Sequence, residues 1–203
     1  MIGIVNYSAG NAVSVFNALK REGIESFISS DERELAECRK FILPGIGSFD
    51  YAIKSLRKSG LSELLTKKVL IEKTPCLGIC LGMQLMTALS DEGSEKGLGW
   101  LEAETIKLNS GNGIAKLPHI GWKPVKPCRP SLLLSEIGEE DEFYFSHSYH
   151  VLCSNDSIVA GVTMYHTPFV SVIEAGHIAG VQFHPEKSHS NGLKVLKNFA
   201  EKF

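Results

Sequence analysis

Gly78-Ile79-Cys80-Leu81-Gly82 is the stretch of this sequence best suited to do chemistry. Pro75 to Ile79 reads as an apolar strand, and a helical pattern starts at once after Cys80, with Leu81, Leu85 and Leu89 recurring every four residues. A cysteine at the apex of such a strand–turn–helix elbow is strained and presented, and glycines two residues to either side let neighbouring backbone approach without a Cβ clash. The helix start favours thiolate over thiol. The backbone N–H of Leu81 points where a carbonyl oxygen would develop charge, which is half of an oxyanion hole. An isolated free cysteine is usually a core residue, and Cys76, inside the strand, is read that way.

A thiolate that attacks an acyl carbon needs a base that later protonates the leaving amine, and that base needs a group to hold its tautomer. Gln182-Phe183-His184-Pro185-Glu186 offers both. On a strand, His184 and Glu186 face the same side, and a Glu side chain can close a separation of roughly 6.6 Å. A second oxyanion donor is expected from Pro44-Gly45-Ile46-Gly47-Ser48-Phe49, which follows another short strand and would emerge at the same carboxyl edge of a parallel sheet. An ordinary turn is the other reading of that loop. A dinucleotide fingerprint is not met, because Asp50 stands at its third glycine position. His147 and His150, three apart on one expected strand, face opposite sides and make a poor chelate. His119, His166, His177 and His189 lack paired ligand spacing and are read as surface or structural, so neither a metal nor another cofactor is expected.

The elements that must position these groups alternate in the first half. Strands are expected at Ile2–Val5, Ile24–Ile28, Phe41–Leu43 and Pro75–Ile79. Helices are expected over Asn11–Arg21, over Asp50 to about Glu72 with an interruption near Ser59-Gly60, and over Leu81–Leu89. After Gly99 the pattern becomes strand-rich, with strands expected at Trp100–Leu108, Glu142–Leu152, Ile158–Tyr165, Phe169–Glu174 and Ile178–Phe183, and a turn at Asn109–Gly113. A last helix is expected over Gly192–Phe203. The fold class is therefore α/β, a three-layer sandwich whose mainly parallel central sheet is covered on both faces.

With 203 residues and roughly 150 per domain as a guide, the chain is expected to form a single domain over residues 1–203. Apolar residues make up 43% and charged residues 22%, which excludes disorder, and a net charge of −2 gives no reason to expect nucleic acid or a membrane surface as partner. No apolar run approaches the ~18 residues of a membrane span, and no basic leader precedes the first strand, so a cytoplasmic location is expected. Five cysteines, an odd number, are too sparse for a disulfide framework in a chain this long.

Pro44-Gly45-Ile46-Gly47, Gly78-Ile79-Cys80-Leu81-Gly82-Met83-Gln84 and Gln182-Phe183-His184-Pro185-Glu186 together resemble the class I, or triad, glutamine amidotransferases, almost from end to end of the chain. Within that class, Asn6-Tyr7-x-x-Gly10-Asn11, Pro118-His119-Ile120-Gly121-Trp122, Tyr144-Phe145-x-His147-Ser148-Tyr149 and Lys187-Ser188 are similar to the glutaminase subunits of imidazole glycerol phosphate synthase. The resemblance implies that Cys80 attacks the side-chain amide of L-glutamine, with His184 as base and acid and Glu186 as its orienter. It implies oxyanion donors from Leu81 and the Ile46-Gly47 loop, and glutamine binding by Gln84, His147, Ser148 and Tyr149. It also implies a heterodimer with a (β/α)8-barrel cyclase that takes the ammonia through an internal tunnel, with Asn11, Trp122, Tyr144 and Lys187 at that interface. Low activity is expected of the isolated chain, because the loop amide near Ile46 can point away until the partner docks. Glu186-Lys187-Ser188-His189 and Gly97-Leu98-Gly99-Trp100 also resemble paralogues that supply ammonia for amidation of surface-glycan sugars, and a catalytically silent regulatory subunit is a third reading.

Overall fold

The structure is a computed structural model that describes residues 1–111 and 115–203. The first half builds β1 (Ile2–Val5), α1 (Ala12–Arg21), β2 (Ser26–Ser29), α2 (Glu32–Ala36), β3 (Lys40–Gly45), α3 (Phe49–Lys58), α4 (Leu61–Thr66), β4 (Cys76–Cys80) and α5 (Leu81–Leu85). Asn11 caps α1 by accepting from the Ser14 N–H, Lys20 and Arg21 fill its last turn, and Gly23 follows at φ 69° as the stop. The interruption expected near Ser59-Gly60 is the break between α3 and α4, where Gly60 sits at φ 75°. The five-residue α2 is too short to register as a periodic pattern and is held by its Asp31 cap, which accepts from the N–H groups of Arg33 and Glu34.

The second half adds β5 (Leu89–Ser90), β6 (Ala103–Lys107), β7 (His119–Pro124), β8 (Lys126–Pro127), β9 (Glu142–His147), β10 (Tyr149–Cys153), β11 (Val159–Met164), β12 (Pro168–Ala175), β13 (Ile178–Val181) and α6 (His189–Lys202). The main sheet runs β2-β1-β3-β4-β13-β12-β10-β6-β5, with β11 and β8 continuing from β12. Its first five strands pair in parallel, and β12, β10 and β6 then alternate direction. Strand periodicity sorts the core into two layers. Ile2, Ile4, Ile42, Leu77 and Ile79 pack against α1 and α6, while Val5, Phe41, Leu43 and Cys76 pack against α2 to α5. This is the three-layer α/β arrangement with a strand-rich second half.

Several elements differ from the sequence reading. The helix after Cys80 ends at Leu85 rather than Leu89, because the N–H groups of Gly97, Leu98 and Trp100 take the carbonyls of Ala88, Leu85 and Met86. Glu142–Leu152 is two strands: the chain breaks at Ser148, so β9 joins β7 in a separate two-stranded ribbon while β10 joins the main sheet. Strand β7 carries no apolar alternation that would announce it in the sequence, since it buries only His119. The final helix starts at His189, three residues earlier than expected, and β13 ends at Val181 rather than Phe183. The turn expected at Asn109–Gly113 falls partly outside the described residues.

The register decides where the chemistry sits. In the β3–β4 pair Gly45 lies opposite Cys80, and in the β4–β13 pair Ile79 lies opposite Val181. The Gly45 loop, the elbow and the segment Gln182–Glu186 therefore leave the sheet side by side at its carboxyl edge, the usual place for a ligand in an open α/β sheet.

Candidate active site

Cys80 closes β4 and adopts φ 53° and ψ −112°, a left-handed conformation that costs a non-glycine residue energy and marks a constrained position. The glycines around it are required by close approach. A Cβ on Gly82 would run into the Leu43 carbonyl, and one on Gly78 would lie 2.7 Å from the Met83 backbone. Gly45 is equally confined, its Cβ position 2.7 Å from Leu81 Cβ. Only five residues of helix follow, so the elbow offers local N–H groups, Leu81 first, rather than the dipole of a long helix.

His184 and Glu186 meet, but not on a strand as the sequence spacing suggested. Val181 is the last strand residue, and Pro185–Lys187 forms a 3-10 turn that brings His184 Nδ1 to 3.0 Å from Glu186 Oε1. Ser188 locks that turn: its Oγ donates to the His184 carbonyl at 2.6 Å and accepts from the Tyr144 N–H at 3.0 Å. Both members of the pair are buried. With Nδ1 engaged by the carboxylate, Nε2 is the ring nitrogen left for Cys80. Burial alone would lower the basicity of this imidazole, but the facing Cys80 and the carboxylate of Glu186 outweigh it and hold His184 well above the usual histidine range. A sulfur facing a protonated imidazole, with a carboxylate behind, is an arrangement for nucleophilic acyl transfer.

A cavity of about 310 Å³ opens over the sulfur, at the small end of the range for ligand pockets. Cys80, Leu81 and Gln84 form its elbow side, Ile46 and Gly47 its loop side, and His147, Ser148 and Tyr149 the opposite wall. His184 and Lys187 complete it. Gln84 Nε2 donates to the Tyr149 carbonyl at 2.9 Å, and His147 Nδ1 donates to the same carbonyl at 2.8 Å. Burial pushes His147 down to about 3, so its ring is neutral. The two loop residues differ. The Ile46 N–H donates to the Ala9 carbonyl at 3.0 Å and is thereby committed outside the cavity, whereas Gly47, at φ 91°, carries no such bond.

The residues singled out for a partner surface lie apart from the cavity, Lys187 excepted. Asn11 caps α1. Trp122, on the outer ribbon, stacks on His189 with ring centres 4.8 Å apart and meets the Tyr144 ring edge-on at 5.8 Å. Lys187 places its ammonium 5.6 Å from the centre of the Tyr144 ring. Several site residues escaped the sequence reading. Glu92 lines the cavity and accepts from the Phe49 N–H at 3.0 Å, and Pro118 and Ser146 line it as well. Gln182 places Nε2 3.6 Å from Cys80 Sγ, and His119 Nδ1 lies 3.2 Å from His147 Nε2. Glu92 carries no local signal; Gln182 is two residues before His184, on a stretch already conspicuous in the sequence. Among the described residues no group of three or more His, Cys, Asp or Glu side chains converges as a metal site would, and no helix is long and apolar enough to cross a membrane.

Comparison with known proteins agrees with this geometry. The family described as glutamine amidotransferase class-I matches residues 11–203. A protein of Methanococcus maripaludis named imidazole glycerol phosphate synthase subunit HisH 2 is 44% identical, over 98% of this chain and 98% of its own. Its namesake in Pseudomonas aeruginosa is 39% identical over 99% of both chains. The imidazole glycerol phosphate synthase subunit HisH of Leptospira interrogans is 40% identical, over 98% of this chain and 99% of its own. Among solved structures, PurLQS from Thermotoga maritima superposes with a TM-score of 0.75 at 18% identity, over 98% of this chain and 96% of that one, a likeness of fold alone. The elbow cysteine, the buried His–Glu pair and these full-length similarities lead to one conclusion: the chain belongs to the class I glutamine amidotransferase family.

Proposed function

We propose that this protein is the glutaminase subunit of an imidazole glycerol phosphate synthase, hydrolysing L-glutamine to glutamate and ammonia for a cyclase partner in histidine biosynthesis. The observation that carries the chemistry is the buried Cys80–His184–Glu186 constellation at the floor of a cavity of amino-acid size. The observation that carries the pathway is full-length similarity to proteins named HisH. We read the chain as a single domain, because both core layers share one continuous sheet.

In this reading Cys80 Sγ attacks the side-chain amide carbon, and the carbonyl oxygen takes up the charge between the N–H groups of Leu81 and Gly47. Collapse of that intermediate breaks the C–N bond, and the proton on His184 Nε2 goes to the departing nitrogen, which leaves as ammonia. His184, now neutral, takes a proton from water as it attacks the thioester; the C–S bond breaks and glutamate departs. Glu186 holds the imidazole in the tautomer and orientation both steps require. Glutamine lies against Gln84, His147, Ser148 and Tyr149, and the Glu92 carboxylate supplies the negative charge that its α-ammonium seeks. Ammonia that escapes into neutral water becomes ammonium and loses its nucleophilicity, which favours docking onto a (β/α)8-barrel consumer. Asn11, the Trp122–Tyr144 aromatic group and Lys187 supply the docking surface.

Two experiments test this reading. A glutamine-analogue electrophile should label Cys80 and be blocked by glutamine, and Cys80→Ala should abolish glutamate release; retained release would refute the nucleophile. If Cys80 is labelled while no histidine-pathway cyclase responds, the acceptor is instead a sugar-amidating system.

A further inference from the structure

Behind the triad, the side chains form a directional chain of hydrogen bonds that ends on the nucleophile. A main-chain carbonyl only accepts, so the Tyr149 oxygen fixes which end of the Gln84 carboxamide faces it: Nε2, at 2.9 Å. The other hydrogen of that nitrogen goes to Gln182 Oε1 at 3.0 Å. Gln182 Oε1 is thereby the acceptor end, and its Nε2 is directed at Cys80 Sγ, 3.6 Å away. Turning the Gln182 amide over would set two NH2 groups against each other and aim a carbonyl oxygen at the sulfur. His147 and His119 reinforce the anchor. His147 Nδ1 donates to the same Tyr149 oxygen, which leaves its Nε2 to accept from His119 Nδ1 at 3.2 Å. Gln182 is fully buried, and its backbone N–H is held by the Ser171 carbonyl at 2.9 Å.

We propose that Gln182 is a further catalytic residue: its carboxamide N–H donates to the Cys80 sulfur, favouring the thiolate before attack and stabilising it again when the C–S bond breaks. The proposal deepens the glutaminase reading and rests on it. No proton is transferred by Gln182; it supplies a fixed dipole where negative charge resides at the start and end of the cycle. The other groups facing the sulfur do different work. His184, with Glu186 behind it, exchanges the proton. The Tyr7 hydroxyl beyond β1 is occupied in donating to the Pro44 carbonyl at 2.7 Å, and His147 on β9 is neutral.

Gln182→Glu and Gln182→Met in the full chain test the proposal, read by the pH dependence of Cys80 alkylation with iodoacetamide, located by mass spectrometry, and by glutamate release. Gln182→Glu keeps the acceptor for Gln84 but turns a carboxylate oxygen toward the sulfur, whereas Gln182→Met removes the donor without adding charge. In both, the pH midpoint of alkylation should rise by about one unit, more for Glu than for Met. For Gln182→Glu kcat should fall about tenfold or more while KM changes less, because Gln182 does not line the cavity. A purely structural role would not move the alkylation midpoint of a folded variant. A wild-type midpoint in folded Gln182→Glu overturns the proposal; if that variant fails to fold, a wild-type midpoint in Gln182→Met does so. Glutamate release retained by Cys80→Ala would instead overturn the glutaminase reading itself.

Discussion

At Cys80 the local sequence and the local geometry make the same demand. The residue is held at φ 53° between glycines whose Cβ positions are filled by neighbouring backbone, so the elbow tolerates no side chain on either flank. Gly82→Ala should therefore destabilise the chain by about 3 kcal/mol, read as a lower denaturant midpoint; a loss below about 0.5 kcal/mol would show that the elbow can relax. Glu186→Gln keeps the shape but presents an NH2 group to His184 Nδ1, favouring the tautomer with its proton on the wrong nitrogen. It should lower kcat by about a hundredfold or more with little change in melting temperature, and an unchanged kcat would remove Glu186 from the mechanism. The elbow and the His–Glu pair were legible in the sequence because each lies within a few consecutive residues. Glu92, His119 and the orientation of Gln182 were not, since their partners lie far along the chain: Glu92 meets Phe49, His119 meets His147, and Gln182 meets Cys80 and Gln84.

At the scale of elements, the spacing of His184 and Glu186 points to a strand, and the structure pairs them by a different element. Two residues on a strand share a face, but here a 3-10 turn does the work, and its conformation depends on Ser188 bonding the His184 carbonyl and the Tyr144 N–H. Ser188→Ala leaves that half-buried N–H without its partner and should cost about 1 kcal/mol while lowering kcat; denaturant unfolding and steady-state kinetics check both, and unchanged kinetics would mean that the turn holds its shape without Ser188. Strands β1, β3, β4 and β13 were legible because each is a short apolar run between turn signals. The β7–β9 ribbon was not, because His119 alone is buried along β7 and the break at Ser148 leaves no mark in an apolar pattern that continues through it.

Across the whole molecule, burial governs the response to acid. It drives His147 down to about 3 and His119 to about 4, and it lowers His150 too. Above about pH 6.5 these rings are neutral in both folded and unfolded chains and add no slope. Below it only the unfolded chain takes up protons, so stability should fall by up to about 1.4 kcal/mol per pH unit for each ring until the folded values are reached. His184 is raised instead, and its contribution is fully present below about pH 6.5, so it does not offset this acid loss. Denaturant unfolding at pH 7 and pH 5 should differ by at least about 2 kcal/mol; equal stabilities would contradict the neutral burial of these histidines. The whole-molecule arrangement also sets an aromatic group on the outer ribbon apart from the sulfur, with Lys187 reaching both it and the cavity, and leaves the Ile46 amide bonded away to Ala9. The most direct test of the account is steady-state glutamate release by the purified chain, alone and with the histidine-pathway cyclase of the same organism and its nucleotide substrate. Stimulation of tenfold or more, abolished by Cys80→Ala, is the predicted result. Release that is the same with and without the loaded cyclase would contradict it.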